Sequence, residues 1–177
     1  MGKLNRLFIV IISCIVIGCA SIPKANEKNQ TLIVGQIALE AKNWPIPYAY
    51  VNGTYKTGIE ITIENIESGK KYSVKSQNNG LFYLNNIPNG NYRISRLHLN
   101  KPSWKVQRGL RWDPRRQFKV IEGYVNNFGQ LNWYCTRNNT TFYYNKEYEE
   151  VRNIFQEKYK STNWNEKDWL DTLITRY

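Results

Sequence analysis

From Thr31 to Leu99 the chain is cut into short apolar–polar alternations by Gly- and Asn-bearing turn signals, a pattern that a helical fold cannot accommodate. Ile59, Ile61 and Ile63 alternate with Glu60, Thr62 and Glu64, which predicts a half-buried strand. Tyr72 and Val74 alternate with Lys71, Ser73 and Lys75, and Phe82 and Leu84 share one face of a third run. Ser68-Gly69, Asn78-Asn79-Gly80 and Asn89-Gly90 separate these runs. Asn52-Gly53, between Tyr50-Val51 and Thr54-Tyr55, reads as a two-residue hairpin turn. After Tyr92 and Ile94 the parity slips, because Leu97 and Leu99 fall on the other phase; a bulge near Ser95-Arg96 is expected. Leu32-Ile33-Val34 and Ile37-Ala38-Leu39 suggest a first strand. Short strands with turns roughly every 8–12 residues imply a sandwich or barrel.

Further on, Phe118, Val120, Val125, Leu131 and Trp133 read as two closing strands, with a hairpin around Phe128-Gly129. Asn138 to Thr141 is a polar break. Asn52-Gly53-Thr54 and Asn138-Asn139-Thr140 match the N-glycosylation pattern but are read as turns. Near Asn145 the period becomes helical, with Tyr148, Val151, Phe155 and Tyr159 on one face. A second short helix is expected after Asn165, capped by Asn165 and Asp168 and stapled by Trp164 and Trp169, with Leu170, Leu173 and Ile174 docking it.

Pro45-Ile46-Pro47-Tyr48-Ala49-Tyr50-Val51 resembles the "P-[LI]-x-G-A-x-V" opening motif of carboxypeptidase regulatory-like domains, which are transthyretin-like, Cna-B-type sandwiches. Gly80 to Ile94 is similar to their "G-x-F-x-[LF]-x-x-[LI]-x-x-G-x-Y-x-[LIV]" hallmark. Tyr48 stands where the family has Gly, and Ser76-Gln77 where it has Thr-Asp. The resemblance covers Gly35 to Leu99. It implies a mainly β, immunoglobulin-like or transthyretin-like antiparallel sandwich with a structural or binding role and no catalytic residues. Tyr92, just after the Asn89-Gly90 turn, is expected to bury its ring and return its hydroxyl to loop backbone, as in a tyrosine corner.

The N-terminus carries an address. Lys3 and Arg6 precede the apolar run Leu7 to Ile17, which is too short to span a bilayer. Val16-Ile17-Gly18-Cys19 resembles the bacterial lipobox. That resemblance implies cleavage before Cys19, diacylglyceryl transfer to its thiol, and attachment to a membrane through two or three acyl chains. Ala20, in place of Asp, suits outer-membrane sorting under the enteric rule. The expected organisation is a signal peptide over 1–18, a flexible tether over 19–30, a β-sandwich over 31–137 and a C-terminal helical extension over 138–177.

The 177-residue chain carries a net charge of +11; Lys3 and Arg6 supply two of these, leaving +9 after cleavage. Such a balance suits anionic partners, and export argues against nucleic acid. The charge concentrates between Lys101 and Lys119, where Arg108, Arg111, Arg115 and Arg116 interleave with Trp104 and Trp112. Guanidinium forks suit phosphate or carboxylate, and the rings suit sugar faces or a headgroup zone. Two readings stay open for this segment: an anionic-ligand surface, or an exposed loop whose tryptophans fold back on the sandwich.

Catalytic chemistry lacks its parts. His98 is the one histidine, in a strand-like run without a G-x-S-x-G motif, which removes paired-histidine metal sites. No catalytic residue, metal or cofactor is assigned. Cys14 leaves with the signal and Cys19 is committed to lipid, so Cys135 stands alone, either a buried inert thiol or a partner for intermolecular pairing. The expected function is a lipid-anchored cell-envelope module that binds or scaffolds protein or anionic glycan. The alternatives are a cell-wall-directed enzyme and a structural spacer.

Overall fold

The computed structural model describes Ile22, Lys24, Ala25 and residues 30–46, 49–99, 110–112 and 114–177. The chain is mainly β: two antiparallel-rich sheets pack as a sandwich, with one short helix near the C-terminus.

The first sheet is built on two long strands, β1 (Leu32–Ile46) and β9 (Val125–Thr136), which pair in parallel. β5 (Leu81–Asn85) and β2 (Ala49–Tyr55) share the free edge of β1. β10 (Thr140–Asn145) and β11 (Trp169–Asp171) share that of β9. In the second sheet β4 (Lys71–Lys75), β3 (Ile59–Asn65), β6 (Gly90–Leu99), β8 (Arg116–Val120) and β12 (Thr175–Arg176) follow one another, and β7 (Leu110–Trp112) continues the β8 edge of β6. Within the sandwich two pairings are parallel, β1 with β9 and β9 with β11.

Between the sheets lie Ile33, Ile37 and Leu39 of β1, the three isoleucines of β3, and an aromatic stack. Tyr92 lies face to face with Phe118 at 5.9 Å, and Phe118 meets Phe128 edge-on at 4.4 Å. Tyr92 is fully buried, and its hydroxyl donates to the Pro88 carbonyl at 2.9 Å, so the expected corner is present. Removing that hydroxyl deletes a part-buried hydrogen bond to an exposed loop residue. Tyr92→Phe is therefore expected to cost about 0.5–1.5 kcal/mol in urea unfolding; an unchanged curve would show that the bond carries no stability. The parity slip in β6 is a bulge: Thr62 pairs with Arg96 and Ile63 with Ile94, leaving Ser95 as the extra residue.

A second apolar cluster explains why Leu32-Ile33-Val34 is apolar without alternation. Its even residues face outward and are covered there. α1 (Tyr148–Lys158) lays Val151 and Phe155 against Leu32, Val34, Leu81 and Val125, and Trp164 closes the group. The first half of this sheet is thus buried on both faces. Ile22 belongs to the same cluster, at 6% exposure. The Asn163 side chain then clasps the backbone of Ala25, accepting from its N–H at 2.9 Å and donating to its carbonyl at 2.7 Å.

Three expectations are corrected. Asn52-Gly53 is not a turn but lies inside β2, where Gly53 (φ 129°) pairs with Ala41. Opposite it, β1 bulges at Asn43 (φ 49°), whose N–H donates to the Asn52 side chain at 2.7 Å; the pair's tolerance of positive φ serves a bulge. β8 and β9 do not form a hairpin around Phe128-Gly129, because they belong to different sheets. Buried Asn126 holds the crossover, bonding both backbone groups of Ile121 and the Tyr124 carbonyl. The second helix is a single 3-10 turn over Asn163–Glu166, capped by Thr162 rather than Asn165 and followed by β11 and β12. There Ile174 enters the main core while Leu173 is 57% exposed. Residues 138–177 also contain β10, so besides its helix this segment contributes strands to both sheets.

Candidate functional site

The basic segment divides across the described residues. Trp104 and Arg108, like Cys19 and the rest of residues 1–21, lie outside them. Arg111 and Trp112 form β7, with Arg111 opposite His98 and Trp112 opposite Leu97 on the edge of β6. Arg115 and Arg116 open β8, and these two residues come together with others that sequence distance had hidden.

β12 returns from the C-terminus to pair with β8, which sets Arg176 directly across from Arg116 and Thr175 across from Gln117. The Tyr177 N–H donates to the Arg115 carbonyl at 3.3 Å, holding the turn that carries Arg115 at φ 49°. On the other side stands β10, the edge of the first sheet. A groove of about 440 Å³ runs between the two edges, lined by Pro114, Arg115, Arg116, Thr140, Thr141, Phe142 and Arg176. Three arginines therefore line one groove where the open side of the sandwich lets the two sheets face each other, beside Thr140 and Thr141 of β10, whose side chains alternate between the two faces of that strand. No acidic side chain is among the described lining residues.

Arg116 is the fixed member. It is half-buried, its Nη2 donates to the Phe142 carbonyl at 3.1 Å, and its guanidinium lies 5.6 Å from the centre of the Phe142 ring. Its Nε is buried without a hydrogen bond. Burial, and then the charge of Arg176, push the Arg116 guanidinium down from its ordinary value. Both effects penalise its positive charge, and an anion in the groove relieves both. Arg116 thus joins β8 of the second sheet to β10 of the first.

The remaining charged groups are occupied differently. Glu60 and Glu64 do share a face of β3, and they are held by arginines of β6. Arg93 binds Glu64 at 2.8 Å with Lys71 at 3.7 Å, while Arg96 binds Glu60, with the His98 imidazole 4.0 Å away. Hydrogen bonding to Arg93 holds the Glu64 carboxyl below its ordinary range. This is a cross-strand charge ladder, with each carboxylate engaged. Cys135 is fully buried, and burial pushes its thiol up to about 12, so at neutral pH it is protonated and unreactive. Among the described residues no group of histidine, cysteine and acidic side chains has metal-binding geometry, and no helix is long and apolar enough to cross a membrane.

Sequence reasoning singled out Arg115 and Arg116 by local charge density but missed Arg176, Thr140 and Thr141. A two-residue strand at the C-terminus has no readable period, and the polar Asn138–Thr141 stretch looked like a break. The alternation Thr141, Tyr143 and Asn145 against Phe142 and Tyr144 was the available signal for β10. Compared with models of protein families and with curated proteins, the chain finds no match.

Proposed function

We propose that the chain is a lipid-anchored protein of the bacterial cell envelope that binds an anionic partner through the groove between β8, β12 and β10. The observation that carries the binding role is the convergence of Arg115, Arg116 and Arg176 beside Thr140 and Thr141, with no acid among the described lining residues. Guanidinium groups provide forked donors for phosphate or carboxylate, and threonine hydroxyls complete such a shell. The net positive charge of the chain draws the same class of partner from a distance. The lipobox residues support the anchor, and the Pro45–Val51 and Gly80–Ile94 motifs support kinship with carboxypeptidase regulatory-like domains, which implies a binding or scaffolding module. Outer-membrane placement follows from Ala20 in a host that uses the enteric rule.

The test spares Arg116, whose loss would also remove its bond to the Phe142 carbonyl. Arg176→Ser is expected to weaken binding of inorganic phosphate about tenfold, the equivalent of one charge-assisted contact, and to flatten its salt dependence. Stability should stay within about 1 kcal/mol of the parent, as for an exposed charge. Calorimetric titration over a salt series reads the first effect and thermal unfolding the second. Binding that is identical in the variant at every salt concentration would remove the groove as the site.

A further inference from the structure

The helix covers only the first half of the outer face of the β1–β9 sheet. Beyond it three rows of side chains run across β1, β9 and β10: Gln36–Gln130–Asn145, Ala38–Asn132–Tyr143 and Glu40–Tyr134–Thr141. Ala38 is the only aliphatic side chain among the nine, so this face offers no apolar centre for a protein partner. Over the middle row lies a hollow of about 210 Å³, bordered by Glu40, Asn132, Tyr134, Tyr143 and Asn145. Tyr143 is 54% exposed.

The amides here are already oriented. Gln36 donates to the Asn79 carbonyl at 2.8 Å, Gln130 to Gln36 at 3.3 Å, and Asn132 to Gln130 at 3.4 Å. The series ends at Asn132, which borders the hollow. The side chains of Glu40, Tyr134, Tyr143 and Asn145 make no hydrogen bond among the described residues. A shallow site with tyrosine rings, fixed amide groups and one carboxylate matches a sugar: its C–H face lies on a ring, and its hydroxyls reach amide and carboxylate.

We propose that this shelf is a carbohydrate subsite continuous with the arginine groove, and that the ligand is an acidic oligosaccharide laid along β10. The inference rests on the groove's reading as an anion site. Thr141 joins the two, lining the groove and standing beside Tyr134 on the shelf. Tyr143 follows two residues later on the same face of β10, about 7 Å on. Glu40 lies two strands away, roughly 10 Å across the sheet, so the carboxylate of the ligand sits with the arginines and away from that of the protein.

The test titrates the detergent-solubilised full chain with three probes: a uronic-acid hexasaccharide, the same hexasaccharide with its carboxyls reduced to alcohols, and inorganic phosphate. Tyr143→Ala should weaken both hexasaccharides about tenfold and leave phosphate unchanged. Arg176→Ser should weaken the acidic hexasaccharide and phosphate about tenfold and leave the reduced one unchanged. If Tyr143→Ala binds the acidic hexasaccharide like the parent while Arg176→Ser loses phosphate, the shelf is not a subsite and the groove reading stands. Phosphate binding unaffected by Arg176→Ser overturns the groove and the shelf proposal with it. A parent protein that binds neither hexasaccharide overturns the carbohydrate inference alone.

Discussion

Cys19→Ser is expected to leave the chain without a lipid anchor and to move it from the detergent phase to the aqueous phase, or to keep it as the uncleaved precursor. A serine hydroxyl does not replace the thiol in thioether formation, and in lipobox proteins cleavage follows that modification. The size of the effect comes from the chains themselves. Each buried methylene contributes about 0.8 kcal/mol, so two or three acyl chains hold a protein to a bilayer where one chain holds it marginally. Mass spectrometry of the parent should show a chain beginning at modified Cys19. Phase partition of the variant should show nearly complete loss from the detergent phase. A variant that runs at the mature mass and still partitions with detergent would overturn the lipobox reading.

Gly80→Ala should be the most damaging single methyl group in the sandwich, at about 3 kcal/mol or more. Gly80 closes the turn between β4 and β5 at φ 86°, where an L residue costs about 1–2 kcal/mol. A β-carbon there would also overlap the Ile37 carbonyl oxygen. The turn has no room to yield, since the Gly80 carbonyl accepts from the Ile37 N–H at 2.9 Å and its N–H donates to Gln77 at 2.9 Å. Overpacking of this kind adds about 1–3 kcal/mol. Gly69→Ala is the matched control: its φ is 70°, but the space around it is empty, so it should lose only the conformational part. Urea unfolding of the pair separates backbone strain from steric overlap. Equal losses would show that β1 moves aside at no cost.

The elements that were legible in the sequence are those whose information is local. Alternation identified β3 and β4, and a parity slip located the bulge at Ser95, because side-chain direction follows directly from residue spacing in a strand. Tyr92 was legible because a corner closes within a few residues. What failed was partnership. Asn52-Gly53 announces positive φ, but a hairpin turn and a bulge use it equally, and only the distant Asn43 decides between them. β8 and β9 look like a hairpin locally; the bonds from Asn126 to the intervening loop send them to different sheets. The candidate site has the same history. Arg115 and Arg116 stood out as neighbours, while Arg176 joins them through a two-residue strand that no pattern announces.

The clasp of Asn163 on Ala25, with Ile22 seated beside Trp164, fixes the length of the leash. From Cys19 to Ile22 there are three peptide steps, about 10 Å at full stretch. Were Cys19 to carry acyl chains, as proposed, Ile22 and the helix-side cluster around it would be held within about that distance of them. The arginine groove lies level with Leu39 to Ala41, roughly 20–30 Å further along the first sheet from Leu32. That distance exceeds the Debye length of about 8–10 Å at physiological salt, so charges at the groove and charges near Ile22 are largely screened from one another.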